Sequence, residues 1–511
     1  AETYRHVWTT TADFESGTQV NTNATDVADQ LQLNLNNIET PYLWVANTGS
    51  STVSQIDTAT GRVLAATATP YASPSRTAVD IDFNCWVAYR GSDGRASKLS
   101  ANGARVVGST PYVGNAARGV AITADGDVWI ASSYGAPWAR HDPETFQPSR
   151  NFTNPLGSYG LSVDPYGKIF STTSWLGGAA VQRVDSASGR IEQTWRINDQ
   201  GGNIYGIVAD IEGNAWGAVW VNDRVVWIDG DHQCPNNLQD CAISQGNGLL
   251  RSISVRNVIR AAGGSSGQYG GRGIAVDANG FVWAVFNDLG TNSWPTAVSY
   301  AVKIDGTTGD PIAATRVGNG AIGITPDADG FIWVVNYSGG GANYVSHACP
   351  PGHNGNGSIN KLRSSDGSVV ATYPTCGSSP YTYSDMAGYT LRSVTLRSGT
   401  WRATHDSSEP GREWGRIRWT SREFDETTLR LRVRVADSLG ALAAAPFSDV
   451  TNGGALPFRG RYMEVEAFLF TRNDFLGPVI EDITIEGICE ATPELCDGFD
   501  NDCNGLVDDG N

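Results

Sequence analysis

Short stretches of alternating small, β-branched and aromatic residues, separated by turns, run along most of the chain. One of them, Gly273–Trp283 (GIAVDANGFVW), predicts a strand, a tight turn at Asp277–Gly280 and a second strand. Asp-x-x-Gly favours the turn because glycine readily adopts a positive φ. The alternation suits a half-buried pleated surface. This stretch therefore predicts one β-hairpin.

The hairpin recurs with its glycine, turn and aromatic residue at the same offsets. Full copies are Gly119–Trp129, Gly160–Phe170, Gly206–Trp216 and Gly323–Trp333, with a degenerate copy at Arg76–Trp86 and a truncated one that starts at Leu43. The aromatic anchors are Trp44, Trp86, Trp129, Phe170, Trp216, Trp283 and Trp333. Most are about 40–50 residues apart, the period of four-stranded propeller blades. A longer gap before Trp283 indicates an insertion.

A second signature follows several anchors and predicts a third strand with a hairpin into a fourth. It is present at Gln55-Ile-Asp57, Arg183-Val-Asp185 and Lys303-Ile-Asp305, each followed by a glycine. Both signatures together predict a seven-bladed β-propeller over residues 39–391. The first blade lacks its first strand, and we expect Tyr381–Leu391 to supply it and close the ring. Closure would leave the ring without an open end.

The two ends of the chain, residues 1–38 and 392–488, show a different alternation, typical of an antiparallel sandwich. Gly460-Arg-Tyr-Met-Glu464 and Pro478–Ile485 resemble a jelly-roll module of bacterial secreted proteins, in which an early strand such as Asp13–Gly17 belongs to the same sheet. We therefore expect an all-β fold in which the propeller is inserted into a jelly-roll-like β-sandwich. A short calcium-loop-like segment at 489–511 follows.

Composition narrows the compartment and the partners. The 511 residues carry a formal net charge of −17, which argues against nucleic acid as a main partner. No apolar run is long enough for a transmembrane segment, and no signal-like segment precedes the chain, so it is either cytosolic or a mature, processed form. Eight cysteines, several in short loop pairs, favour a secreted or cell-surface protein after signal-peptide removal. The disulfide candidates are the loop pairs Cys234 with Cys241 and Cys349 with Cys376, together with Cys496 and Cys503 in the tail, while the pairing of Cys85 and Cys489 stays open.

The acidic tail, residues 489–511, has the spacing of a calcium loop. Its candidate ligands are Asp500, Asp502, Asn504, Leu506 through its carbonyl, Asp508 and Asp497. Oxygen ligands at alternate positions around a glycine turn converge on one point, as hard Ca²⁺ requires. The tail also resembles a short Cys-Asp-Gly-x-Asp-Asn-Asp-Cys motif, a metal-binding element of secreted myxobacterial proteins named after a copper-binding protein. Hard oxygens favour calcium over copper. The alternative is a solvated acidic tail with a structural disulfide.

The repeat resembles the NHL and virginiamycin B lyase-like propellers, which include lyases, lactonases and binding scaffolds. Residues just before the recurring glycines are predicted to ring one end of the channel; they are Ser75, Arg118, Tyr159, Tyr205, Arg272 and Ile322, with Asp385 near the closing strand. We select Arg118, Tyr159, Tyr205 and Arg272 as candidates for binding an anionic or sugar-like group. The alternative is that they only pack within the channel.

The candidate function is a non-catalytic binding or structural protein with one calcium ion, whose partners are an extracellular polymer or like subunits in a homo-oligomer. One alternative is a lyase or hydrolase acting on a lactone or glycan at the channel mouth. None of the six histidines precedes a first strand, where a catalytic residue would be expected. A further alternative is carbohydrate binding by the sandwich through Trp401 or Trp414, although both are expected in its core.

Overall fold

The structure, a computed structural model, describes residues 3–34, 38–133, 137–173, 178–198, 202–246, 248–472 and 476–488. It divides into two compact units. One unit combines the described parts of Ala1–Asn37 and Leu396–Asn511, and the other is Ile38–Thr395. No helix in the described ranges is long and apolar enough to cross a membrane.

The start of the chain contributes short elements to the unit formed by both chain ends. They are β1 (Thr3–Trp8), α1 (Thr11–Glu15), β2 (Thr18–Val20), β3 (Thr22–Asn23) and β4 (Gln32–Leu33). The strand predicted at Asp13–Gly17 is wrong, because most of it is helix α1. Thr10 and Asp13 form a capping box, in which each side chain accepts from the other's backbone N–H. The helix buries Phe14.

The unit Ile38–Thr395 consists of consecutive, mainly antiparallel sheets. The sheets begin with β5 (Tyr42–Asn47), β6 (Thr52–Asp57) and β7 (Val63–Ala68); then β8 (Pro74–Val79), β9 (Cys85–Tyr89), β10 (Ala96–Leu99) and β11 (Val106–Ser109); then β12 (Ala117–Ile122), β13 (Val128–Ser132), β14 (Pro137–His141) and β15 (Pro148–Thr153); then β16 (Gly160–Val163), β17 (Lys168–Thr172), β18 (Ala180–Asp185) and β19 (Ile191–Ile197).

The remaining sheets follow the same order. They comprise β20 (Ile204–Ala209), β21 (Ala215–Val219) and β22 (Arg224–Ile228), with β23 (Asp240–Ile243) added to the previous sheet and β24 (Leu250–Ser254) completing this one; then α2 (Arg256–Ala261); then β25 (Tyr269–Val276), β26 (Phe281–Asp288), β27 (Val298–Asp305) and β28 (Pro311–Asn319); then β29 (Ala321–Pro326), β30 (Phe331–Asn336), β31 (Ser358–Arg363) and β32 (Val369–Pro374).

The first strand of each sheet contacts the first strand of the next sheet. The successive pairs are β8 with β12, β12 with β16, β16 with β20, β20 with β25 and β25 with β29. This radial order of sheets, most of them with four strands, is that of a β-propeller. A glycine recurs near the start of most of these strands because the neighbouring strand passes close by. A Cβ on Gly206 would lie 2.4 Å from the carbonyl oxygen of Arg272.

Residues 380–386 lie along β5, as the closing segment was predicted to do. The backbone N–H of Tyr381 donates to the carbonyl of Ala46 (2.8 Å), and that of Trp44 donates to Met386 (2.9 Å). Ser384 bonds Thr77 of β8 on the other side (3.0 Å). Tyr381–Leu391 does not form the predicted strand: the first sheet has three strands, β5-β6-β7, and the end of the segment is helix α3 (Tyr389–Ser393). The Asp385 carboxylate accepts from the backbone N–H groups of Tyr389 and Leu391 and so starts the helix.

The recurring turn is fixed by its aspartate. In the Gly273–Trp283 copy, one carboxylate oxygen of Asp277 accepts from the N–H groups of Asn279 and Phe281, and the other accepts from the indole of Trp283 at 2.9 Å. Asp210–Trp216 and Asp327–Trp333 repeat the indole bond. Aspartate and tryptophan therefore recur at this spacing because a hydrogen bond between them holds the turn against the buried ring.

Two disulfides hold segments against the outer edges of sheets. Cys234–Cys241 belongs to the insertion, whose strand β23 runs parallel to β19. Near the second disulfide, Cys349–Cys376, Tyr344 pairs with Thr372 of β32, also in parallel. These segments cover edges that would otherwise offer unpaired backbone groups.

The end of the chain completes the other unit. Its elements are β33 (Ser398–Asp406), β34 (Trp414–Arg422), β35 (Thr427–Ala436), α4 (Leu439–Ala444), β36 (Ser448–Val450), β37 (Tyr462–Thr471) and β38 (Val479–Ile488). One sheet has the order β2-β33-β37-β35-β36 and a second has β1-β38-β34. Side chains from both sheets share one hydrophobic core that includes Trp8, Trp401 and Ile483. The two ends of the chain thus build one β-sandwich.

Candidate anion-binding site in the propeller channel

The structure brings together the four residues selected from the sequence. Arg118 donates to the hydroxyl of Tyr159 at 3.2 Å. The rings of Tyr159 and Tyr205 are 4.9 Å apart, and the Arg272 guanidinium lies 4.6 Å from the centre of the Tyr205 ring. Each residue stands at or near the start of the first strand of a different sheet, and these strands converge around the channel.

Tyr381 of the closing segment lies at the centre of this group. Its hydroxyl shares a hydrogen bond with that of Tyr205. The guanidinium groups of Arg90 and Arg118 lie 4.1 and 5.9 Å from the centre of its ring. We call Arg90, Arg118, Tyr159, Tyr205, Arg272 and Tyr381 the mouth cluster. Tyr381 is almost fully buried, whereas Arg90 and Arg118 are partly exposed.

Aromatic rings hold Arg272 from several sides. Its guanidinium lies 3.4 Å from the centre of the Trp220 ring and 4.8 Å from that of Trp294, while its Nε donates to Asn287 at 3.2 Å. A planar guanidinium stacks well on such rings, which fixes its orientation. The cluster is therefore preorganised before any ligand enters.

Below the cluster, Arg76 occupies the place that glycine has in other copies of the repeat. Its guanidinium lies over the ring of Tyr383 and donates to the carbonyl groups of Tyr159 and Tyr383. Sequence reasoning missed Arg76, Arg90, Tyr381 and Tyr383. The signal for Arg76 was available, since an arginine in place of a closely packed glycine must send its side chain into free space. Tyr381 and Tyr383 were attributed only to ring closure.

Among the described residues, the positive charges of this region have no acidic partner. Within the described ranges, none of Arg76, Arg90, Arg118 and Arg272 forms a salt bridge. Buried donors also lack an acceptor there, namely Arg118 Nε, Arg272 Nη2 and Trp294 Nε1. Unmatched buried donors are costly. An oxyanion, which only accepts hydrogen bonds, would satisfy them.

The cluster shifts the ionisation of its own members. Burial alone would raise the pKa of Tyr381, but the charges of Arg118 and Arg272, with the hydrogen bond from Tyr205, lower it to about 8. Burial raises the pKa of Tyr205 well above its usual value. Desolvation lowers the pKa of Arg76 to about 9. The positive field therefore makes the phenol of Tyr381 easier to ionise than that of a free tyrosine.

Other predicted site residues are placed as follows. Ser75 and Ile322 are buried, and Ile322 packs in the core with Tyr159 and Tyr205. Asp385 is held by α3 instead of joining the mouth cluster. Trp401 and Trp414, the possible carbohydrate-binding aromatics, are 0% and 1% exposed and belong to the sandwich core, as expected.

The predicted disulfides Cys234–Cys241 and Cys349–Cys376 are confirmed, and Cys85 is a buried free thiol. The predicted calcium ligands lie outside the described residues, as do Cys489, Cys496 and Cys503. Among the residues that the structure does describe, no group of three His, Cys, Asp or Glu side chains could hold a metal ion.

No protein-family model matches the sequence, and no curated protein matches it. Solved structures do show similarity. Hydrazine synthase from Kuenenia stuttgartiensis aligns with a TM-score of 0.47 and 16% identity, over 59% of this chain and 91% of that chain. Virginiamycin B lyase from Staphylococcus aureus aligns with a TM-score of 0.42 and 14% identity, over 65% and 96%. A functionally unknown protein from Desulfotomaculum acetoxidans aligns with a TM-score of 0.46 and 14% identity, over 66% and 98%.

Proposed function

We propose that this chain is a secreted or cell-surface bacterial binding protein that acts without catalysis. In this proposal a seven-bladed propeller is inserted into a jelly-roll-like sandwich, and the tail at 489–511 binds one calcium ion. The ligand is an acidic extracellular polymer whose carboxylate or sulfate group enters the channel. The observation that carries the proposal is the mouth cluster, in which Arg90, Arg118 and Arg272 converge without an acidic partner among the described residues.

Chemical complementarity supports this ligand class. Guanidinium groups bind carboxylates and sulfates through paired, charge-assisted hydrogen bonds. Trp220 and Trp294, which lie beside Arg272 and are partly exposed, offer flat faces to a sugar ring. Because the whole chain has a net charge of −17, an acidic polymer is attracted only where the charge is locally reversed. The mouth cluster is such a place.

The test is calorimetric titration of the full chain with a polyuronate, a sulfated polysaccharide and a neutral polymer of similar length. We expect one or both acidic polymers to bind and the neutral polymer not to bind. The double change Arg118→Gln and Arg272→Gln should weaken binding at least about tenfold. Arg430→Gln is the control, since Arg430 is an exposed arginine of the sandwich. Equal binding by the neutral polymer, or by the double variant, would refute the proposal. The preferred polymer identifies the acidic group.

The calcium part of the proposal is tested separately. Elemental analysis of protein kept free of chelators should find one calcium ion per chain, and EDTA should lower the thermal unfolding temperature. Asp500→Asn with Asp502→Asn should abolish both results. Calcium that persists in this variant, or zinc or copper in its place, would contradict the tail assignment.

The lowered pKa of Tyr381 favours a second candidate, a lyase. A phenolate beside Arg118 and Arg272 has the properties of a base that removes the proton next to a uronate carboxylate while the guanidinium groups stabilise the developing charge. Elimination would then release the substituent at the neighbouring carbon. Prolonged incubation with polyuronates should show an unsaturated product by ultraviolet absorbance if this holds. If the polymer stays intact, the lyase candidate is excluded and the binding function is retained.

A further inference from the structure

A second compartment lies along the channel beyond the mouth cluster. It is a cavity of about 50 Å³ lined by Arg76, by Tyr383 and by residues of the segment from Asp385 to Thr395. Its wall comes from successive first strands, through Ile122, Leu161, Ile207, Ile274 and Ile324. We call it the axial chamber. We propose that the axial chamber binds a small aliphatic monocarboxylate, of the size of acetate to butyrate.

The carboxylate-binding end is defined by two buried donors. Arg76 is 2% exposed and Tyr383 is 3% exposed. Within the described structure, neither the Nε of Arg76 nor the hydroxyl of Tyr383 has a hydrogen-bond partner. The remaining nitrogens of Arg76 donate to backbone carbonyls, which carry no charge to neutralise it. A carboxylate has two oxygens that can accept from the two donors, and its negative charge can neutralise the guanidinium group of Arg76.

An acidic residue, Asp385, also lines the chamber, but it does not neutralise Arg76. Asp385 accepts hydrogen bonds from the backbone of α3 at 2.8 and 3.2 Å, and its charged neighbour is Arg392. Among the described residues no salt bridge joins Asp385 to Arg76. The charge of the Arg76 guanidinium group can therefore be neutralised by an anion that enters the chamber.

The wall and the volume select the rest of the ligand. A cavity needs about 10–15 Å³ of this measure for each water molecule. Space of about 50 Å³ therefore accommodates about three to five such positions, or a carboxylate with a tail of one to three carbons. The wall is lined by isoleucine and leucine, so an aliphatic tail that packs against it is stabilised by the hydrophobic effect. A second charged group would find no polar partner on this wall. Inorganic anions would leave this wall unused.

The test uses the full chain and the sodium salts of acetate, propionate, butyrate and hexanoate, with chloride for comparison. Saturable binding is measured by calorimetry after long equilibration, and the ligand signal is observed by ¹³C NMR. We expect binding of the shorter acids, with hexanoate excluded. Ile324→Ala enlarges the chamber and should shift the preference towards longer acids.

A matched pair of tyrosine variants locates the ligand. Tyr383→Phe removes the hydroxyl of a side chain that lines the chamber and should weaken binding about ten- to a hundredfold. Tyr344→Phe removes the hydroxyl of an exposed tyrosine that does not line the chamber and should leave carboxylate binding unchanged. Binding that survives Tyr383→Phe, an equal response to chloride, or no saturable binding would overturn the proposal. The Arg118 and Arg272 variants test the polymer site alone, so either site can fail without the other.

Discussion

Two regions of the molecule concentrate arginine and treat it in opposite ways. On the sandwich sheet, Arg402 and Arg432 both donate to Glu466, and Arg434 donates to Glu464. In the channel, Arg118 and Arg272 contact aromatic rings and hydroxyls but form no described salt bridge. The sandwich pairs lie directly across neighbouring strands, where opposite charges stabilise a sheet. The channel arginines instead come from separate sheets that supply no acid. Charge that the fold itself neutralises supports structure, and charge left without a partner indicates a ligand.

Removing the acid of the sandwich should have the largest effect on stability. Glu466 is 2% exposed and serves two arginines. Glu466→Gln should lower the free energy of unfolding by about 2–3 kcal/mol, because two charge-assisted bonds are weakened. Urea unfolding measures this. Asp449→Asn is the control, since its 3.8 Å pair with Arg430 is exposed. Equal losses in both variants would remove the contrast between the regions.

The same contrast should appear among buried acids. Asp277 has an indole partner, whereas Asp164 stands in the copy whose anchor is Phe170 and has no indole to bind. Asp277→Asn should cost about 1–2 kcal/mol, because the amide presents N–H to N–H at Trp283. Asp164→Asn should instead stabilise the fold near neutral pH.

The pH dependence of the Asp164 effect follows from its ionisation. Burial raises the pKa of Asp164 to about 7. The folded state therefore holds a proton that the unfolded state releases, and stability falls as pH rises from about 4 to about 7. The gain from Asp164→Asn should be full above this range and absent below it. A pH-independent gain in thermal unfolding temperature would contradict the buried-charge explanation.

Removing a channel arginine should hardly change stability. Arg118→Met keeps much of the side-chain volume and removes a charge with no acidic partner, so the free energy of unfolding should change by less than about 1 kcal/mol. Affinity for an acidic polymer should fall in the same variant. A loss as large as that of Glu466→Gln would mean that the channel arginines are structural after all.

The smallest expected effect is the titration of Tyr381. Its pKa of about 8 lies below the usual value of 10.0, so the folded state favours the phenolate. Its contribution to stability should be full above pH 10, decline as pH falls, and be lost below about pH 8. Comparison with Tyr381→Phe isolates this term, and ultraviolet titration in the Arg118→Met variant should show the pKa rising. An unchanged pKa would remove the arginines as its cause.

The sequence predicted the propeller repeat, the sandwich strands and both described disulfides because periodic hydrophobicity and loop cysteines are local signals. It also selected Arg118, Tyr159, Tyr205 and Arg272, since a position repeated in each sheet predicts a shared place in space. Helix α1 was missed because a capping box competes with a short alternating pattern. The pairing of Tyr381 with Tyr205 joins residues far apart in the chain, and the axial chamber depends on packing that no local pattern records.

The closing segment also has a consequence for biosynthesis. The backbone partners of Ala46 and Trp44 lie in residues 380–386, and those of β1 lie in β38. The unit Ile38–Thr395 can therefore not be completed before its last residues have been made, and the unit formed by both chain ends cannot be completed before β38. Contacts between such distant residues form slowly, and the strand edges of the early sheets stay exposed until their partners have been made. Premature termination before residue 380 would leave an unclosed ring, so we expect this protein to depend on holding factors while its chain emerges.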